Sequence, residues 1–454
     1  MNWIDTIRRG RRLSLYLFFG LFFACASYSE NTDFVREAAV HDDPASAVKE
    51  LNRLLKVKDS VSMPSRWKGD APLLVLERAT LLQAEGKYME SQKNFTVVDK
   101  QLEFLDLHRD TSGQIGKYIY SDSATKYKTT PTEKLCLNAI NMINFLVEND
   151  LQGARVEAKR FTIMRKYLQE VDPERSVGAI GSYLAGFVSE RLGEAESALR
   201  YYDEALAEKD LMSLESAVLE ISKKSSYRSE RLEKYLSKNS SSLPFENTNH
   251  GEVLVVIKTG TVPYKKAVRI PIGAAVGLAH GFFTGDPKLL QYGAMKVVTY
   301  PGLVDVQPNF DQVHVEIGGN PIPVDLVSDL GQEIRDEYER VKPKIIGSAL
   351  TRMIARAMVA EGARAAGNQA ENAGSIVGLL AALAVEGTMV ALDKPDTRSW
   401  SLLANRIFVS RATLPAGTHT VNVVVAGKGG RKTYTLKSEV KPGKFSVHDL
   451  STLQ

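Results

Sequence analysis

Apolar positions in the first half of the chain recur with the spacing of an α-helix. Between Gly181 and Ala207 this spacing predicts two amphipathic helices joined by a tight turn at Gly193. The pattern recurs at 72–100 and, more weakly, at 135–161. In the weaker copy Asn149 replaces the turn glycine, and asparagine tolerates the left-handed backbone best after glycine. The first half is therefore predicted to be an array of helical hairpins.

The small and aromatic residues of this array resemble a tetratricopeptide repeat, although the copies do not keep its strict period of about 34 residues. The best copy carries the resemblance at Gly186, Gly193, Ala198, Tyr202 and Ala205. The resemblance implies that neighbouring pairs stack and that their concave face binds a protein segment. The inner-face residues that it implies are Tyr183, Phe187, Glu190 and Arg191. Alternatively, these four side chains simply pack against the next helix.

The second half begins with strand patterns and continues into long helical stretches. Residues 252–260 form a β-branched run that is typical of a buried strand, and 313–317 and 321–327 are further candidates. Residues 329–366 are predicted to be helical, with a kink or a break at Pro343. The chain then enters a second helical stretch.

That stretch, residues 375–391, is almost wholly apolar, which predicts a buried core helix because a peripheral helix would show a polar face. Its length is marginal for a membrane span, and Glu386 would be costly there. The chain then ends in at least three predicted strands, separated by turns at 415–417 and 428–430.

These patterns predict an α+β fold, in which an N-terminal α-helical tetratricopeptide-like array precedes a mixed C-terminal domain that ends in a small antiparallel β-sheet or sandwich. A Ser-, Asn- and Pro-rich segment before Gly251 marks the clearest boundary. The predicted divisions are a signal peptide at 1–24, a tether at 25–42, a helical repeat domain at 43–240, a mixed α/β domain with a buried apolar helix at 251–395, and an antiparallel β-rich domain at 396–454.

The amino terminus has the three parts of an export signal. A cluster of arginines precedes the apolar run Leu13–Ala24, which is too short to cross a bilayer as a helix of roughly 20 residues. The sequence that follows, Phe22-Phe23-Ala24-Cys25, resembles a bacterial lipoprotein processing site. The resemblance implies that Cys25 is acylated and becomes the new amino terminus. Because Ala26 is not acidic, the resemblance to Gram-negative lipoproteins implies the outer membrane; an ordinary signal peptide and an uncleaved anchor are the alternatives.

Composition narrows the function further. The formal net charge of +4 falls to about +1 without the signal segment, so the sequence gives no nucleic-acid footprint. Two cysteines cannot form a disulfide framework or a thiolate metal cluster, and Cys136 is predicted to be a buried structural thiol. Histidine pairs, a metalloprotease motif, a phosphate-binding loop and a dinucleotide fingerprint are all missing from the sequence, so no cofactor is predicted.

One polar constellation remains. It consists of Asp393, Asp396, Arg398 and Trp400. An Asp–Arg pair beside a tryptophan could hold a ligand, but it is more often an ion pair that fixes a join between two elements.

Several features of the whole chain resemble an uncharacterised family of bacterial lipoproteins with tetratricopeptide repeats. They are the lipoprotein signal, the degenerate array, the DTRSW segment at 396–400 and the LPAGTHTV segment at 414–421. The resemblance implies an architecture and no activity. We therefore expect a membrane-anchored, periplasm-facing scaffold whose helical repeats bind an envelope protein partner in assembly or secretion. The alternatives are a regulator of a cell-wall synthesis enzyme and an unrecognised hydrolase or sugar-binding protein.

Overall fold

A computed structural model of the chain describes residues 27–104, 127–171, 178–207, 209–238, 249–279, 297–365 and 395–454. This part has an α+β fold, with helices in the N-terminal half and strands in the C-terminal half. The helices are α1 (Tyr28–Asn31), α2 (Asp33–Val40), α3 (Pro44–Leu55), α4 (Ala71–Ala84), α5 (Tyr88–Asp99), α6 (Pro131–Val147), α7 (Leu151–Val171), α8 (Ala179–Arg191), α9 (Ala195–Ala205), α10 (Glu215–Ser222), α11 (Glu230–Lys238), α12 (Ile272–Leu278) and α13 (Leu330–Ala365), and a 3-10 helix spans Met212–Leu214.

The strands lie mostly in the second half. They are β1 (Glu103–Phe104), β2 (Lys128–Thr129), β3 (His250–Thr261), β4 (Tyr264–Pro271), β5 (Val297–Val304), β6 (Gln312–Ile317), β7 (Asn320–Ile322), β8 (Val324–Asp329), β9 (Ala404–Pro415), β10 (Gly417–Gly427), β11 (Gly430–Val440) and β12 (Phe445–Thr452). Among the described strands, the short β1 and β2 pair only with each other, and so do β4 and β5.

Three helical hairpins form the centre of the N-terminal half, as the sequence predicts. The pairs are α4–α5, α6–α7 and α8–α9, and their turns contain Gly86, Asn149 and Gly193, with φ angles of 73°, 57° and 77°. In the third pair Gly186 permits a close approach, because a Cβ atom there would lie 2.5 Å from the Tyr202 ring. The hairpins and this contact are confirmed, whereas a relationship to tetratricopeptide repeats stays a prediction.

The segment predicted to be a tether belongs to the folded body. Residues 28–40 form α1 and α2, and Tyr28, Val35 and Ala39 are buried in the main core. A tether was predicted because polar residues outnumber apolar ones in this segment. The prediction was wrong because Val35 and Ala39 lie four residues apart on one face of α2, and this face is buried. Only Ala26 and Ser27 stand between Cys25 and the start of α1.

Two four-stranded sheets pack face to face in the C-terminal half. The first sheet has the strand order β12-β3-β9-β8, and the second has the order β11-β10-β6-β7. Val253 and Val255 of β3 meet Val423 of β10 between the sheets. Leu254 and Val256 point from the opposite face of the first sheet into the core of the helical array. The molecule therefore has three layers, with helices on the first sheet and the second sheet on its far side.

The predicted division at residue 396 is wrong, because strands from both sides of it pair with one another. β3 pairs along its length with β9, and β6 pairs with β10, so 251–395 and 396–454 together build the sandwich. The sheets are also not purely antiparallel, since β12 joins β3 in parallel. Pairings across such sequence separations leave no local signal in the residue pattern.

A smaller core forms where β4, β5 and α12 pack with α13. The Tyr338 hydroxyl of α13 donates to the carbonyl of Pro301 in β5 at 3.0 Å. Of the two predicted effects of Pro343, a kink or a break, the break does not occur, because helix α13 continues through this proline as one element. The apolar helix predicted at 375–391 lies outside the described residues.

An irregular segment, residues 395–403, packs against the helical array and leads into β9. We call it the strap. Two buried carboxylates of the array hold its backbone. Glu77 accepts from the Ser401 amide and hydroxyl, both at 2.7 Å, and from the Leu402 amide at 2.9 Å. Glu133 accepts from the Trp400 amide at 2.8 Å. The strap thus fixes where the sandwich meets the helices.

We expect Glu77 to make stability depend on pH. Burial raises its pKa from 4.5 to about 7, against the opposing effect of the donors from Ser401 and Leu402. The folded state therefore binds an extra proton between these values, and about 3 kcal/mol of unfolding free energy is lost as the pH rises from 4.5 through 7. Glu77→Gln should remove this part of the slope in urea unfolding measured from pH 4.5 to pH 8.

The quantity to compare is how the difference in unfolding free energy between Glu77→Gln and the parent changes with pH. The glutamine side chain also leaves the backbone amide of Leu402 poorly paired, but it does so at every pH. Glu50→Gln on the exposed side of α3 is the control and should keep the parental slope between pH 5 and pH 8. Parallel pH curves for Glu77→Gln and the parent would show that this carboxyl does not titrate as expected.

Candidate functional site

A groove of about 650 Å³ lies where the helical array meets one end of the first sheet. Its helical wall is formed by the ends of α8 and α9, by the 3-10 helix and by α10, and its floor by the first residues of β3 and the last residues of β9. Met212 lies on the wall and leaves 59% of its surface exposed. The groove therefore combines an apolar contact with charged walls.

A closed cluster of charges lies at the inner end of the groove. Arg411 Nη2 lies 2.7 Å from Glu190 Oε1, and Arg411 Nε donates to Glu252. Arg191 also contacts both carboxylates, at 2.9 Å to Glu252 and more closely to Glu190. The Tyr202 hydroxyl donates to Glu190 at 2.5 Å and accepts from Arg411 at 3.0 Å. The cluster joins α8 and α9 to strands β3 and β9.

The charges hold one another in the ionised state. Burial acts to raise the pKa of Glu190, but the guanidinium groups of Arg411 and Arg191 outweigh it and lower this pKa to about 2. Burial also disfavours the charged form of Arg411, yet Glu190 and Glu252 raise its pKa above the ordinary value. The free-energy cost of removing these charges from water is offset by their mutual attraction only while all of them are present.

The four predicted inner-face residues gather at this one place. Glu190 and Arg191 line the groove, whereas Tyr183 and Phe187 are fully buried beneath it. Phe187 packs edge-on against Phe445 of β12, with ring centroids 5.5 Å apart. Tyr183 and Phe187 are therefore internal and pack against the sheet and the neighbouring helices, and binding to a partner stays a prediction for Glu190 and Arg191.

Strand β9 is only partly paired beside the groove. Its partner β8 begins with Val324 opposite Ser410, so residues 411–415 pair with β3 on one side and with no described strand on the other. Arg411 and Thr413 of this stretch line the groove, and so does Pro323, which precedes β8. An unpaired strand end next to a groove is a surface to which an extended segment can add.

The other predicted constellation has a structural role among the described residues. Asp396 pairs with Arg398 at 2.6 Å within the strap. Trp400 is buried in the helical array, where its indole donates to Thr80 Oγ1 at 2.9 Å and its ring lies near that of Phe95. Asp393 lies outside the described residues. The structure thus favours the join between elements over a ligand site at these positions.

No family model, curated protein or solved structure matches the chain. Within the described ranges, every helix is too short or too polar to cross a membrane. The same ranges contain no group of three or more His, Cys, Asp or Glu side chains arranged to hold a metal ion. Inference about function therefore depends on the groove itself and on the signals in the sequence.

Most residues of the groove are not indicated by the sequence patterns. Met212, Glu252 and Arg411 are the most important of them. The signal for Arg411 is a charge that follows the apolar residues 407–409 of β9, and Glu252 stands at the start of the apolar run of β3. Charged residues in such runs need a partner, but the partner is set by the pairing of β3 with β9 and by the docking of α8.

Arg411→Met should destabilise the protein by about 3–5 kcal/mol at pH 7, because it leaves the buried Glu190 and Glu252 with one guanidinium instead of two. The loss should shrink on acidification, since Glu190 without Arg411 takes up a proton at a higher pH. Urea unfolding at pH 7 and pH 4.5 measures both effects.

Arg200→Met is the matched control, because it breaks the exposed Arg200–Glu196 pair of α9. It should leave the urea midpoint unchanged. Equal midpoints for Arg411→Met and the parent at pH 7 would show that the cluster does not stabilise the join between helices and sheet.

Proposed function

We propose that the protein is a lipid-anchored scaffold of the bacterial envelope. It is held on the outer membrane by acylated Cys25, faces the periplasm and binds an extended segment of an envelope protein partner in the groove. The observation that carries the binding proposal is the unpaired end of β9 at 411–415 beside a groove of about 650 Å³. The anchor is supported by the export signal and by the residues before Cys25.

The groove suits a polypeptide segment better than a small apolar ligand. Strand β7 lies close to β9 next to β8, so an added strand would bond to the edge of β9 beyond β7 and would place alternate side chains towards the groove. There it would meet the exposed Met212, the cations Arg191, Lys224 and Lys444, and acidic residues of α10. Because charges of both signs surround one apolar contact, the groove favours a partner segment with a specific sequence over segments that are merely hydrophobic.

The helical array itself offers less room for a partner than the sequence suggested. Its inner residues hold the strap and the first sheet, as Glu77, Glu133 and Phe187 illustrate. A regulator of a cell-wall enzyme would also need reach, and only Ala26 and Ser27 separate Cys25 from α1. We therefore favour a partner that comes to the membrane-held body.

The anchor predicts a specific mass for the mature protein. The wild-type chain should begin at Cys25 and carry acyl groups, and Cys25→Ser should lack them. Intact-mass spectrometry of both proteins, purified from membranes and from the soluble fraction, measures this. An unmodified wild-type chain that begins near Ala26 would contradict the anchor, and a chain that retains Met1 would mean an uncleaved signal.

The groove predicts which substitutions weaken partner binding. Met212→Asp introduces a charge at the apolar contact, and Ser216→Trp fills the groove from α10, so each should reduce a cross-linked partner about tenfold or more. Quantitative mass spectrometry of cross-linked detergent extracts measures the recovery. Ile163→Asp on the outer face of α7 is the control, because Ile163 is also a strongly exposed apolar residue.

Partner recovery should be unchanged with Ile163→Asp. If both groove variants capture the partner as well as the parent does, the groove is not the binding site. If no stoichiometric partner is recovered with the parent, the scaffold role itself is contradicted.

A further inference from the structure

A second cavity, of about 620 Å³, lies at the amino-terminal end of the helical array. We call it the basic cavity. Leu54, Leu55 and Leu74 form apolar walls, whereas Lys56, Arg66 and Lys68 stand at its exposed rim. An apolar interior under a rim of cations is the arrangement that suits an amphiphile with a negatively charged head.

The three cations are not used in holding the fold together. Among the residues that the structure describes, none forms an ion pair with Lys56, Arg66 or Lys68, whereas about half of the other cations of the array have a carboxylate partner. Of the described residues that line the cavity, Asp70 alone is acidic, and burial raises its pKa. The rim therefore has an uncompensated positive charge that favours an anion.

Lys56 occupies a position that favours another residue type. It ends α3 with a left-handed backbone, φ 56°, and its amide donates to the carbonyl of Arg53 at 3.1 Å. Glycine is preferred at such a helix end because a Cβ atom is strained there. A lysine stands here against this preference, and its side chain lies at the mouth of the cavity.

The basic cavity also lies close to the proposed anchor. Tyr28 and Thr32 line it, and the Cα atoms of Cys25 and Tyr28 are at most about 11 Å apart along the chain. An acylated Cys25 would therefore bring the rim to the level of the lipid headgroups. We propose that the basic cavity binds the phosphate group of an anionic phospholipid in the membrane that holds Cys25. This proposal rests on the proposed lipid anchor.

Short-chain phosphatidylglycerol tests the site without requiring the anchor. The full-length protein, purified in a neutral detergent, is titrated with dihexanoyl phosphatidylglycerol, and deuterium uptake of backbone amides in residues 54–74 is followed. We expect saturable protection that weakens with added salt. Dihexanoyl phosphatidylcholine, which partitions into detergent in the same way but has no net charge, should give none.

Charge-removing variants separate the cavity from general surface attraction. Arg66→Gln with Lys68→Gln should weaken binding about 30-fold, since each cation near a lipid surface contributes about fivefold. Lys159→Gln with Lys166→Gln removes the same charge from the exposed face of α7 and should have no effect. Lys56→Gly should weaken binding about fivefold while its thermal unfolding midpoint is not below the parental one.

Three outcomes would overturn the proposal. They are equal protection by phosphatidylcholine, an equal loss of binding in the α7 control, and inorganic phosphate binding as tightly as phosphatidylglycerol, which would indicate a site for free phosphate. The intact mass of the wild-type protein decides the anchor separately. If the purified chain carries no acyl group but still binds phosphatidylglycerol, the anchor is contradicted and the lipid site is supported. If the chain is acylated but phosphatidylglycerol gives no protection, the anchor is supported and the lipid site is contradicted.

Discussion

The contact of Arg411 with Glu190 and Glu252 is the interaction on which the arrangement of this molecule depends. It is the point where the last turn of α8, the start of β3 and the end of β9 meet, and each of these elements would bury a lone charge without the others. The same principle operates at Lys258 of β3, which lies 3.0 Å from Asp449 of β12 and also contacts Gln83 of α4. Apolar packing alone would allow the sheet to slide on the helices, whereas buried polar partners permit one position.

The parts of the fold that the sequence predicts well are those set by local spacing. Gly86, Asn149 and Gly193 each close a helical hairpin between neighbouring stretches, so the period of the apolar residues and one turn residue suffice. The strand pairing is different, because β3 meets β9 across more than a hundred residues and a β-branched run does not specify its partner. The division predicted at residue 396 was placed where helical residue patterns change to strand patterns. Such a local change cannot reveal that strands from both sides of it belong to one sandwich.

The candidate site was predictable to a similar extent. Glu190 and Arg191 were found because they follow a helical hairpin pattern, and Trp400 because it stands in an unusual polar segment. Glu77 gave a signal that is clear in retrospect, since it stands with Arg78 inside a helix that is apolar on every side and must therefore be buried. Its partners, the amides of Ser401 and Leu402, are backbone groups over 300 residues away, and no side-chain pattern encodes them.

The strap also sets an order of events for a chain that is synthesised from its amino terminus. The Ser29 amide donates a hydrogen bond to the hydroxyl of Thr397, 368 residues later, and Glu77 lacks its partner until Ser401 has been synthesised. Until the last eighth of the chain emerges, the helical hairpins expose two carboxylates and an apolar surface that nothing yet covers. The incomplete protein is therefore prone to associate with other chains until its synthesis is complete. Closure comes only with the carboxy-terminal strands, so truncation there should affect the whole molecule rather than one end of it.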